Sequence, residues 1–115
     1  MKRTPLRKIS EYRRRELRLL SKAQAEVARR DTPDDERDPR SVMSGRKADD
    51  IAHIIPRSAF GRKNKHLCHQ LKNMCCLTRE EHKATENPAG RTMLLRIMQR
   101  RHGYDYSDEP WRGYV

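Results

Sequence analysis

Three residues suited to acid–base or metal chemistry stand at marked places in the chain. His53 lies inside the apolar run "DIAHII" of residues 50–55, Asn73 opens the run "NMCCL", and His82 follows nine residues later. Two carboxylates accompany them, Asp50 three residues before His53 and Glu86 four after His82. A neutral imidazole can take a proton near pH 7. Histidine with carboxylate oxygens suits a hard or borderline cation such as Mg²⁺ or Mn²⁺. Each residue also has a plainer reading: a structural histidine, a turn asparagine, a solvated helix glutamate. Ala52, directly before His53, binds nothing, but in an extended strand Asp50 shares its face.

The elements that must hold these side chains follow from local pattern. Residues 50–55 read as a short strand stopped by Pro56. Residues 56–72 are polar, basic and turn-rich, and residues 73–77 are long enough for a second strand but too short for a helix. Thr78-Arg79-Glu80-Glu81 is a capping box that starts a helix carrying His82 and Glu86 on one face, with Pro88 ending it. A last helix is expected over Arg91–His102, with Leu94, Leu95, Ile97 and Met98 inward and Gly103 as its cap. The tail should fold back through Tyr104, Tyr106 and Trp111. Upstream, "SEYRRRELRLLSKAQAEVARR" reads as one helix capped by Ser10, docking through Leu17, Leu20, Val27 and Ala28. "DTPDDERDPRS" holds two prolines and five acids and reads as a linker. The division expected is a basic helical arm over 1–30, an acidic linker over 31–40, and a core over 41–115.

Composition bounds the partners. Leu, Ile, Val and Phe make up 18 of 115 residues, and eleven of them follow Asp50, so the main core lies in the C-terminal two-thirds. The net charge of +11 gathers on the basic helix and the core rather than on the segment between, which favours a polyanionic partner, nucleic acid above all. Arg14 on the helix, Arg62, Lys63 and Lys65 in the long loop, Arg57 after the first strand and Arg79 at the helix start are the candidate phosphate contacts. No apolar run reaches the roughly 18 residues of a membrane span, and no secretory leader is evident, so a cytoplasmic location, with no membrane partner, is expected. Cys68, Cys75 and Cys76 are odd in number with no C-x-x-C and read as small apolar residues. A metal site joining Cys68 to His66 or His69 is the lesser alternative; those two histidines otherwise read as nucleic-acid contacts or solvated groups.

Strand, loop, strand and helix, with His53, Asn73 and His82 in that order, follow a ββα-metal site, and here the sequence resembles the HNH endonuclease family. "HIIPRS", "LKNMCCLTREEH" and the step from Asn73 to His82 carry the resemblance over residues 41–88, and "MKRTPLRKIS" before a basic helix is similar to small phage-encoded members. It implies an α+β fold: a ββα-metal (HNH) core with a basic N-terminal and a C-terminal helix. It implies that His53 is the general base of DNA hydrolysis, that His82 is a ligand to a divalent metal, and that Asn73 orients the His53 loop or gives the metal an oxygen. Glu86 stands where some members place a further histidine ligand, and Asp50 is the candidate to replace the ligand missing at Ala52. Products would carry 5′-phosphate and 3′-hydroxyl ends in the host cytoplasm. Many members hold a structural zinc on four cysteines; in register this chain has Ser41, Ser44, Thr78 and Glu81, so no structural zinc is expected. The competing classes are a catalytically silent DNA-binding module and a phage DNA-packaging accessory. A homodimer through the apolar stripe of the basic helix is compatible with the sequence but not demanded by it.

Overall fold

The computed structural model describes residues 10–115, so the basic opening over residues 1–9 lies outside the described residues. The chain folds as a small α+β protein in which a two-stranded antiparallel sheet is flanked by helices. Helix α1 (Glu11–Arg30) is followed by β1 (Asp50–His53), β2 (Met74–Leu77), α2 (Arg79–Ala84) and α3 (Pro88–His102). Single-turn helices punctuate the loop between the strands, and another, Trp111–Tyr114, forms the tail. The register pairs Ile51 with Cys76, Ala52 with Cys75 and His53 with Met74. Alternation of side chains along the two strands then divides the core in two.

On one face Ile51, Met74 and Cys76 pack against Ala23 and Val27 of α1, with Leu20 beside them. The buried stripe of α1 is therefore Glu16, Ala23 and Val27, rotated from the expected Leu17, Leu20, Val27 and Ala28. Asp31, just past α1, is buried; it accepts from Cys76 N–H at 3.0 Å and from both ends of the Arg30 guanidinium. Arg30 in turn donates to the Leu71 and Met74 carbonyls and to Tyr104 Oη, which pins the end of α1 to β2 and to the tail.

On the other face Ala52, Cys75 and Leu77 meet Leu94, Leu95 and Met98 of α3, with Tyr106 and Trp111 from the tail. Large aliphatic side chains contribute about 1.5–3 kcal/mol each when fully buried, so α3 alone brings this face a gross ~5–9 kcal/mol. α3 begins three residues earlier than expected. Pro88 takes the first turn, where a missing N–H costs nothing, and Asn87 caps it by accepting from Gly90 N–H at 2.8 Å. Gly103 ends it in the left-handed region at φ 69°, as expected. α2 ends at Ala84, and Gly90 lets α3 start hard against it: a β-carbon there would lie 2.5 Å from Thr85 Cα.

Candidate functional site

The capping box at Thr78 forms as its spacing requires, and it fixes where His82 stands. Thr78 Oγ1 accepts from Glu81 N–H at 3.2 Å, and Glu81 Oε1 accepts from Thr78 N–H at 2.9 Å. Ser41 donates to the same Glu81 oxygen at 2.6 Å and accepts from Ser44 N–H at 3.2 Å. Burial raises the Glu81 carboxyl, but the bonds from Ser41, Thr78 and Ser44 outweigh it and hold the group below its ordinary value. Ser41, Ser44, Thr78 and Glu81 thus meet at one point and join the chain before β1 to the start of α2.

His82, one turn into α2, is bracketed by carboxylates. Its Nδ1 lies 3.2 Å from Asp50 Oδ2 and its Nε2 lies 3.4 Å from Glu86 Oε1. Glu86 falls just beyond the helix, whose cap is Thr85, yet its carboxylate still reaches the ring. Asp50 also lies 3.6 Å from the mostly exposed Arg79. A carboxylate on one imidazole nitrogen fixes the proton there and turns the other lone pair outward. The shorter contact is Asp50's, and at the other edge of the ring His82 Nε2 and Glu86 Oε1 stand side by side. Asp50, His82 and Glu86 do not converge on one point: among the described residues, the group of three such donors lying within 4.8 Å of one another is His53, Cys68 and His69.

That second group holds the other half of the site. His53 Nε2 lies 2.9 Å from His69 Nδ1, and His69 Nε2 lies 3.0 Å from Glu16 Oε2. Glu16 is 1% exposed and is clamped by Arg57 through Nε at 2.8 Å and Nη2 at 3.0 Å, and by Arg13 at 2.7 Å. The Arg57 bonds, with Arg13 and His69 behind them, overcome burial and hold the Glu16 carboxyl far below the usual range. Burial, then the neighbouring His69 and His82, lowers His53 to about 4, so it is neutral at pH 7. Cys68 Sγ lies 3.4 Å from His69 Nδ1; burial pushes this thiol up to about 11, so it is no thiolate nucleophile. The His53–Cys68–His69 cluster can in principle coordinate a divalent metal ion.

Asn73 is fully buried and spends its amide on the loop after His53 and on the tail. Its Oδ1 accepts from Ile55 N–H and Trp111 Nε1–H, both at 2.9 Å, and its Nδ2 donates to the Ile55 and Cys68 carbonyls at 3.0 and 2.9 Å. Of the two roles expected for Asn73, the bonds serve the first, orienting the loop; no oxygen capacity is turned toward His82. His53, His82, Glu86, Arg57 and Ala52 line one cavity of about 450 Å³. The strand-end histidine and the helix histidine thus face shared space.

The basic residues surround the site unevenly. Arg57 lines the cavity while paired to Glu16. Tyr12 of α1 donates to the Lys63 carbonyl at 3.3 Å and meets His66 edge-on, so the first turns of α1 stand beside the loop carrying Arg62, Lys63 and Lys65. Arg14 is exposed, 3.9 Å from Glu11. No described helix is long and apolar enough to cross a membrane. The sequence reading missed Glu16 and undervalued His69. An acid on the stripe shared with Ala23 and Val27 was the available signal, because a buried carboxylate requires partners. No family model, curated protein or solved structure matches this chain.

Proposed function

We propose that the cavity is a metal-dependent phosphodiesterase centre of the HNH type acting on DNA. The observation that carries this reading is the shared cavity, in which neutral His53 from the end of β1 and His82 from α2 face one space while Asn73 holds the intervening loop. The meeting of Ser41, Ser44, Thr78 and Glu81 supports it, because these positions stand in register with the four zinc-binding cysteines of many members of the family the sequence resembles.

His82 Nε2 and Glu86 Oε1 would hold the divalent cation, and a carboxylate oxygen 3.4 Å from an imidazole nitrogen suits a hard or borderline ion such as Mg²⁺ or Mn²⁺. A bound cation supplies positive charge against the scissile phosphate and the departing oxygen. His53 takes a proton from the attacking water, the water oxygen bonds to phosphorus, and the P–O3′ bond breaks. Asp50 keeps the His82 ring in its orientation, and Asn73 keeps the His53 loop in place. Arg79, the exposed Arg14, Arg62 and Lys63, and the half-buried Lys65 attract the backbone through charge, so selectivity among sequences is weak. Ala52 favours a second reading, a silent DNA-binding module, because it leaves the cation with two protein donors.

The test is nicking of supercoiled plasmid in Mg²⁺ or Mn²⁺ beside His53→Ala and EDTA controls. Metal-dependent nicking that is lost in His53→Ala is expected. Equal nicking by both proteins removes His53 as the base, and a gel shift without nicking in either establishes the silent module.

A further inference from the structure

His53 is joined to α1 by a relay of close contacts, His53 Nε2 to His69 Nδ1 at 2.9 Å and His69 Nε2 to Glu16 Oε2 at 3.0 Å. Glu16 receives four N–H donors on two oxygens: Arg13 Nη1 and Arg57 Nη2 on Oε1, Arg57 Nε and His69 Nε2 on Oε2. A carboxylate offers about four acceptor sites, so a proton on either oxygen would face a donor. Glu16 is therefore the anion, and His69 Nε2 is a donor to it. Arg13 and Arg57, each about half exposed, already outnumber that one negative charge, and the His69 side chain is 4% exposed, so a cation enclosed beside them is disfavoured. Neutral His69 then carries its lone pair on Nδ1. The 2.9 Å contact at that atom requires a proton from His53 Nε2; Cys68, at 3.4 Å, is the longer and weaker donor to the same lone pair. His53 Nδ1 has no partner among the described residues, and the buried side-chain atom left without one there is His102 Nε2.

We propose that Glu16 and His69 are positioning residues that hold His53 as its Nε2–H tautomer and so leave Nδ1 as the basic nitrogen. The use made of Nδ1 rests on the phosphodiesterase reading above; the tautomer does not. Glu16 acts at one remove, through His69, and Arg57 acts at two, by holding Glu16 ionised. A sequence separation of 53 residues between Glu16 and His69 brings α1 into the machinery of the strand end.

The experiment is long-range ¹⁵N–¹H correlation of the histidine side chains of the metal-free full chain at pH 7.5, beside plasmid nicking. His53 is expected to show a protonated Nε2 and an unprotonated Nδ1. His69→Leu removes the acceptor and should give a mixture of both tautomers, with nicking kcat down about a hundredfold and KM for DNA within twofold, the pattern of a misoriented base. His69→Asn places its carbonyl oxygen where Nδ1 stood and should restore the single tautomer and most of the rate. Glu16→Gln should likewise mix the tautomers of His69 and His53. A wild-type His53 protonated on Nδ1, or on both nitrogens, overturns the inference whether or not the protein nicks DNA. So does a His69→Leu spectrum identical to wild type. Added Co²⁺ that develops a thiolate charge-transfer band absent in Cys68→Ser also overturns it, because both nitrogens would then be ligands. A wild type with the expected tautomer that fails to nick leaves the positioning assignment standing and refutes the phosphodiesterase reading.

Discussion

Replacing Asn73 by alanine tests how the loop after His53 is held. The substitution removes four hydrogen bonds and strands the Ile55 and Trp111 donors and the Ile55 and Cys68 carbonyls, all on residues at most 3% exposed. At a net of about 1 kcal/mol per bond, the loss is ~4 kcal/mol. Against a total stability of roughly 6–17 kcal/mol for a chain this long, that is a quarter or more. Trp111 is the only tryptophan and donates to Asn73, so its fluorescence reports the site directly during urea unfolding. With a urea slope of about 1.5–2 kcal/mol/M, the midpoint should fall by ~2 M. Asn73→Asp keeps the acceptor, loses both donors and sets a charge against two carbonyls, so it should be at least as damaging at pH 7. The new carboxyl is raised in the folded state above its unfolded value, so its stability is present at low pH and lost as pH rises through the folded value. Acidification should therefore partly rescue Asn73→Asp and not Asn73→Ala. A cost below about 1 kcal/mol for the alanine variant would refute the reasoning, since the stranded groups would then have found other partners.

Two further outcomes are expected. Gly90→Ala gains helix propensity of about 1 kcal/mol, but its β-carbon would press on Thr85 backbone at 2.5 Å, which cannot swing aside; a net loss of ~1–3 kcal/mol should lower Tm, and a rise in Tm would show that α2 and α3 separate freely. His53 is lowered to about 4 from 6.5, so between those values the unfolded chain binds a proton that the folded chain refuses. Stability contributed by neutral His53 should fall as pH drops from 6.5 to 4 and level off below, with an imidazole NMR titration midpoint near 4; a midpoint at or above 6.5 would remove burial as the cause.

What was legible in the sequence was mostly local. The capping box at Thr78, the glycine cap at 103, the two short apolar strands and the back-folded tail each rest on residues within a few positions of one another. Pro88 was misread because proline both stops one helix and opens the next; Asn87 as a cap decided between the two. On α1 the apolar stripe of Leu17, Leu20, Val27 and Ala28 points to a face rotated from the buried one, because Glu16 is held inward by Arg13, Arg57 and His69 rather than by apolarity. On the His82 side, an i,i+4 spacing and one strand neighbour are local signals, and they bring Glu86 and Asp50 to opposite nitrogens of the ring without the three converging on one point. The His53 half depends on Glu16 and His69, each ordinary alone and brought together only by packing α1 across the sheet. Tertiary pairings of that kind leave no local pattern to read.

The bond from Trp111 to Asn73 spans 38 residues, and this sets an order in time. A ribosome lays down β1, the loop, β2 and α2 well before it reaches the tail. Until Trp111 has emerged and folded back, the amide that fastens the loop lacks one of its four partners, and the apolar face of the sheet lacks the ring that covers it. The loop that follows His53 is thus fully fastened only once the tail has folded back across the sheet.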